Sequence, residues 1–363
     1  MKEFERKQNR IQQLLSEHKL DALLLLRTSS VAWATCGAKT HVNLASTTGA
    51  GSLLVTRSNR FLITSNLEAA RLEQEEGLAA QGWEFCVKPW YEPQDQKAHL
   101  TRSLRLGADD AFAGATDLSR EIAWLRAQLT PEEGARFREL GYRCAQAIEA
   151  TALSLQPGQS EFEIAARQSY ECEKRGVQAV VNIVSTDWRI AAYRHALPTE
   201  KKLERYAMLV LCGRRHGLVC STTRFVHFGR LSTELRSRAE ATAKIAVAFL
   251  IATRPNTSLG EIFKIGIRAY ADEGYSDEWH NHHQGGPTGY EAREIFATAD
   301  SPEIVTVGQA YTWNPSIGDM RSVDTFIVGE TENEIITDNP LWHSIAVEAN
   351  GGIFRRPAIL EVL

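Results

Sequence analysis

Between His282 and Glu294 the chain reads HHQGGPTGYEARE. Adjacent imidazoles, a run of glycines and a Glu-x-x-Glu pair enclosing an arginine can move protons, bind metal or grip anions. Another histidine stands far upstream, His195 in YRHALPT. An imidazole titrates near 6.5, so both of its forms are within reach at neutral pH. His195 and His283 are therefore candidates for a general acid/base pair. Arg194, Arg293 and Arg321 carry planar forks that match a carboxylate. For each of them the alternative is a structural ion pair; for Arg293 the partner would be Glu291 or Glu294. Glu294 would orient a histidine or cap a turn. Gln284, with Gly285 and Gly286, would let the backbone approach a ligand, or would make a tight turn. Asn314, next to Trp313, would orient a carbonyl or amide. Tyr290 would donate a proton at a cleft or pack into a core. His280, His282 and His283 leave a stray metal site open.

These residues need a frame to hold them. A chain of 363 residues has room for about two domains. With 43% hydrophobic and 24% charged residues it can build a substantial core. The net charge of −4 and the lack of a basic stripe argue against nucleic acid as a partner. Six cysteines are scattered without a C-x-x-C pair, which reads as reduced thiols in a cytoplasmic protein. The opening MKEFERKQNRIQQLL has no signal-peptide core, and no apolar run nears the ~18 residues of a membrane helix.

The first part alternates short elements. Phe4, Ile11, Leu14 and Leu15 give residues 3–18 a helical spacing, and DALLLL suits a buried strand. GSLLVTRSNRFLITS predicts a hairpin turning at Ser58-Asn59, NLEAARLEQEE a charged helix and WEFCVKPW a strand. Together they predict a compact α/β domain over residues 1–130. In LTPEEGARFREL, Thr130 is an N-cap, Pro131 the first helical residue and Glu133 the end of a capping box. That is a domain start, so the second domain is assigned to residues 131–363.

The second domain carries a repeat. Pro157 to Gly176 and Pro255 to Gly274 each span 19 positions. Both run from Pro through a Ser or Thr cap and a Glu into an amphipathic helix ending at Gly. A helix precedes each, and strand-like runs such as YAMLVLCG and VTVGQAYTW follow. An internal duplication makes two αβ halves and a cleft between them. Each half supplies one histidine, His195 or His283.

The whole chain resembles the creatinase, prolidase and aminopeptidase P superfamily, with its creatinase-type N-terminal domain and duplicated α+β pita-bread domain. LQPGQSEFEI, RHALPT, LVLCGRRHGLVCSTTRFVHFG, HHQGGPTGYEARE and GQAYTWNPSIGDMRSVDTFIV carry the resemblance, in that order. The peptidases of the superfamily hold two metal ions through two Asp, one His and two Glu. The resemblance sets these at Leu211 or Cys212, Ser221, His283, Asn314 (beside Trp313) and Val323. Only the histidine is retained, and hard divalent ions need anionic oxygens. No metal and no cofactor is therefore expected. Creatinase works without metal through a first-half histidine, which matches His195. Its Gly-x-Glu-x-Arg-Glu matches Gly289 to Glu294, whereas its two guanidinium-gripping glutamates match Thr223 and Asn314. Family dimers imply a homodimer in which Trp33, Asn43 and Arg71 close the partner's cleft.

The expected function is a metal-independent, creatinase-like hydrolase or lyase. It would act on a C–N bond of a small carboxylate-bearing substrate through His195, His283 and Glu294. Arg194, Gln284, Tyr290, Arg293, Trp313, Asn314 and Arg321 would bind that substrate. One alternative is a metal-dependent Xaa-Pro aminopeptidase or prolidase. The other is a non-catalytic descendant that binds a small ligand.

Overall fold

A computed structural model describes residues 2–363. By their contacts these residues form two compact units. The first comprises residues up to Ala127 together with His216–Leu218, and the second Gln128–Arg215 with Val219–Leu363.

The first unit is a six-stranded mixed sheet with helices. Strand Ala22–Arg27 lies inside it, antiparallel to Thr48–Thr56 and parallel to Leu106–Ala108. Its ALLLL run is buried throughout, as a strand covered on both faces must be. Leu24, Leu54, Ile63 and Leu106 pack together in its core. The predicted hairpin forms, with Arg60–Ser65 as its second strand. The predicted helix at NLEAARLEQEE is shorter than its pattern, spanning Ala69–Gln74. Trp33 is fully buried in this unit, so it is core and not a residue held out towards a partner. Asn43 and Arg71 are engaged locally, with Ala45 and with Glu68, Glu76 and the Lys39 carbonyl.

The second unit shows the repeat in its hydrogen bonds. Helix Pro131–Leu153 starts on the Thr130–Glu133 capping box. Helices Glu161–Glu173 and Leu259–Asp272 start on matching boxes, Ser160 with Glu163 and Ser258 with Glu261. Both follow a left-handed residue, Gly158 or Asn256, and both chains turn away at a left-handed glycine, Gly176 or Gly274. Ser160 and Ser258 even make equivalent isolated bridges, to Lys202 and Ile304. The following strands differ: Tyr206–Arg215 is long, whereas VTVGQAYTW is a strand only over Ala310–Trp313.

The unit also holds two four-stranded sheets, beside two short two-stranded ones. One runs, in order, Leu360–Val362, Leu218–Phe228, Tyr206–Arg215 and Gln178–Thr186. The other runs Gly285–Thr288, Ala310–Trp313, Thr325–Ile327 and Glu334–Ile335. A buried ion network fastens distant segments together. Arg224, fully buried, donates to Asp324 at 3.0 Å, to Glu149 at 3.3 Å and to the Thr337 carbonyl at 2.8 Å. Arg356 reaches the other oxygen of Asp324 at 2.6 Å. Among the described residues no helix is long and apolar enough to cross a membrane.

Candidate functional site

Period-two alternation builds the cleft wall. Val181 and Ile183 pair with Cys212 and Val210 across two strands, so all four present one face. Ser221 and Thr223 add alternate positions of the next strand, and Arg321, at the end of strand Met320–Arg321, and Val323 just beyond it also line the cleft. His195, His282, His283, Ala292, Arg293, Phe296 and Asn314 complete the lining of a cavity of about 180 Å³. That suits a ligand well below drug size. The alternation also resolves the Leu211 or Cys212 question: Cys212 faces the cleft, while Leu211 is fully buried and outside the lining.

Three imidazoles meet here, from both halves. His195 Nε2 and His282 Nε2 lie 3.3 Å apart, so one donates and the other accepts. His283 is ordered by a chain of hydrogen bonds. Arg293 donates to Ser221 Oγ at 3.2 Å and to Asn314 Oδ1 at 2.6 Å. With its oxygen so engaged, Asn314 turns its amide Nδ2 to His283 Nδ1 at 3.2 Å. The proton of neutral His283 therefore sits on Nε2, an assignment that follows from the network.

Backbone geometry makes this approach close. Asn314 N–H donates to the Gln284 carbonyl at 2.9 Å, extending the pairing of Gly285 with Trp313. Gly285 has φ +101, and a Cβ there would lie 2.2 Å from the Thr312 carbonyl oxygen. A Cβ on Gly286 would lie 2.3 Å from the Ile295 carbonyl oxygen. The glycines thus admit the protein's own backbone, not a ligand's.

The electrostatics are one-sided. Asp and Glu are absent from the lining, which holds two guanidiniums. Arg321 is 5% exposed and donates to the Arg194 carbonyl. Burial, then the charge of Arg194, lowers it to about 10. Arg293 is also lowered to about 10, by burial. Loss of solvation is the main cause lowering all three histidines. His283, then Arg321 and His195, add to it for His282, which is held at about 2. Burial raises the Cys212 thiol, against the pull of Arg293. Thr223 Oγ1, Arg293 Nε and His282 Nδ1 are buried without a hydrogen-bond partner.

Other expected site residues lie elsewhere. Glu294 caps a turn, accepting from the N–H groups of Tyr290 (2.7 Å) and Glu291 (3.2 Å), and is not among the cleft-lining residues. Tyr290 donates to Glu133 at 2.6 Å in the core. Trp313 stacks on Phe249 and donates to Thr253 at 2.9 Å. Gln284 accepts from Tyr270 and donates to the His282 carbonyl, so it supports the histidine loop from behind. Arg194 is paired with Glu278 at 3.2 Å. His280 stacks on Trp279 outside the lining, so of the stray metal site left open at His280, His282 and His283 only the last two come together, with His195. His282, considered from sequence only as a stray ligand, is the residue that was missed.

Residues 135–345 match metallopeptidase family M24, and residues 7–127 match the creatinase/prolidase N-terminal domain. The chain belongs to family M24. Among solved structures it is similar to the Xaa-Pro dipeptidase of Bacillus anthracis, with 19% identity, TM-score 0.79 and coverage of 99% of this chain and 100% of that one. The X-Pro aminopeptidase of Thermotoga maritima gives 18%, 0.74 and coverage of 98% and 99%. The N-terminal domain of the chickpea (Cicer arietinum) FACT complex subunit SPT16 gives 12%, 0.72 and coverage of 93% and 96%. No curated protein matches the chain. These likenesses establish the creatinase N-terminal and pita-bread fold.

The family name implies metal, and the cleft residues can be tested against it. Three imidazoles, a thiol, an amide and two hydroxyls face the cavity with two guanidiniums and no carboxylate. That set does not fit a pair of hard divalent ions, which need anionic oxygens. The nitrogens of His195, His282 and His283 lie within 4.8 Å of one another, a set for at most one borderline ion.

Proposed function

We propose that this M24-family chain is a metal-independent hydrolase or lyase acting on a C–N bond of a small carboxylate-bearing substrate. The observation that carries the reading is the cleft lining: three neutral imidazoles beside two guanidiniums, with no carboxylate. A guanidinium without an acidic partner in a partly dry cleft favours a carboxylate ligand. Arg293 or Arg321 would hold it. His283, with its proton on Nε2, would donate a hydrogen bond to a developing oxyanion. His195, beside His282, would take up a proton from water or from the substrate and return it to the leaving nitrogen as the C–N bond breaks. Glu294 has no direct part in this scheme.

A second reading is a metal-dependent Xaa-Pro peptidase. The family and the dipeptidase and aminopeptidase structures favour it, and the three imidazoles offer an ion one place to sit. A third is ligand binding without turnover, since the unsatisfied cleft atoms on Thr223, Arg293 and His282 would serve a bound ligand as well as a reacting one.

Elemental analysis of chain purified without chelator or histidine tag separates them, followed by a screen of small C–N substrates with chelator present. The expected result is under ~0.1 metal per chain, turnover that survives chelation, and at least a ~100-fold fall in kcat for His195→Ala. About two ions per chain, or activity on Xaa-Pro dipeptides that chelation abolishes, would establish the peptidase instead.

A further inference from the structure

The cleft carries more positive charge than a single carboxylate neutralises. Arg321 is buried and Arg293 half-buried, and among the described residues neither meets an acidic side chain. Arg194, by contrast, has Glu278. A charge taken from water without a partner is costly, so two such groups in one cavity call for two anionic partners. They are also anchored apart. Arg293 is fixed on Ser221 and Asn314, whereas Arg321 is fixed on the Arg194 carbonyl. Besides burial, both guanidiniums lower His283, so the imidazole lies within the field of two positive charges. The same cavity also has apolar lining from Val181, Ile183, Val210, Phe296 and Val323. Three lining polar atoms, on Thr223, Arg293 and His282, remain unsatisfied within the chain.

We infer that the cleft is built for a small dianion: a dicarboxylate with one carboxylate on Arg293, the other on Arg321, and a short apolar body between them beside His283. This rests on the metal-independent reading above and narrows its substrate class. Two separate forks select for two charges at a set distance. A monocarboxylate satisfies one fork and leaves the other buried and unpaired, which costs it affinity. A cationic substrate is repelled outright.

The test is calorimetric binding to the full chain in chelator at pH 7 and low salt, with succinate, glutarate, butyrate and butylammonium as probes. Succinate or glutarate should bind at least ~10-fold tighter than butyrate, and butylammonium should not bind. Arg293→Gln and Arg321→Gln should each erase that preference. The melting temperature of unliganded Arg321→Gln should stay level or rise, since an uncompensated charge has been removed. Should that variant unfold, Arg321→Lys keeps the charge and should retain part of the preference. Equal affinity for butyrate and both dicarboxylates would overturn the inference. So would preference surviving in both glutamine variants, or no anion binding at millimolar concentration. The two readings fail separately. Metal-dependent turnover sinks the catalytic reading and leaves the dianion preference of the chelated chain standing. Metal-free turnover of a monocarboxylate bound as tightly as the dicarboxylates does the reverse.

Discussion

His282 and His283 are neighbours in sequence with different work to do. Asn314 fixes the tautomer of His283, and His282 faces His195 across the cleft at 3.3 Å. Nothing in the string HH distinguishes them, because the His195 contact joins residues 87 positions apart. Arg293, Asn314 and His195 were legible from residue type and motif. Trp313 was misread for a simple reason: consecutive strand residues face opposite ways, so if Asn314 points to the cleft its neighbour points to the core. Tyr290 and Glu294 were ambiguous between roles, and each took the structural one. His282 also sets a pH dependence. Its pKa of about 2 in the folded chain lies below the ordinary 6.5, so the unfolded chain binds its proton first. The associated stability is complete above pH 6.5 and is lost as pH falls towards the folded value. At pH 5 the loss is on the order of 1 kcal/mol once solvent access is allowed for. Melting curves from pH 4 to 8 should show His282→Asn with a flatter acid limb than the parent chain. Parallel limbs would remove His282 from the account.

Elements were more legible than residues. The capping boxes at Thr130, Ser160 and Ser258 all form, because an N-cap is a local device whose partners lie three residues away. The two repeat helices were found the same way. What failed was extent: the charged pattern at NLEAARLEQEE outruns its helix, and the VTVG of VTVGQAYTW stays outside the strand, whose pairing is decided by partners far along the chain. The duplication makes a quantitative claim. Ser160 and Ser258 each accept from the N–H of the glutamate three residues on, both at 3.2 Å. Ser160→Ala and Ser258→Ala should therefore each cost about 1 kcal/mol, and the double variant about 2. Urea unfolding of the second unit reads this directly. A cost at only one serine would mean that the two starts are alike in shape but not in energetics.

At the scale of the whole molecule, the sequence announced a two-part architecture through its repeat and its motif order. It did not announce the Arg224 network, whose members come from residues 149, 224, 324, 337 and 356. Such a network is invisible to periodicity because its members lie far apart in the chain and share no local pattern. Removing one partner strands a buried charge. Glu149→Leu should cost about 3–5 kcal/mol, whereas Glu334→Ala, which breaks the exposed pair with Arg138, should cost under about 1 kcal/mol. Equal costs in chemical denaturation would show that burial does not govern these pairs. The same network bears on how the protein is made. Arg224 waits for Asp324 and the Thr337 carbonyl, Asp324 waits for Arg356, and strand Leu218–Phe228 gains its outer neighbour only with Leu360–Val362. A ribosome that has delivered the helix at Pro131 must add more than two hundred further residues before that sheet closes. From the time Arg224 is made, a charged arginine and an open strand edge wait for those later partners, and the growing chain depends on whatever shields them.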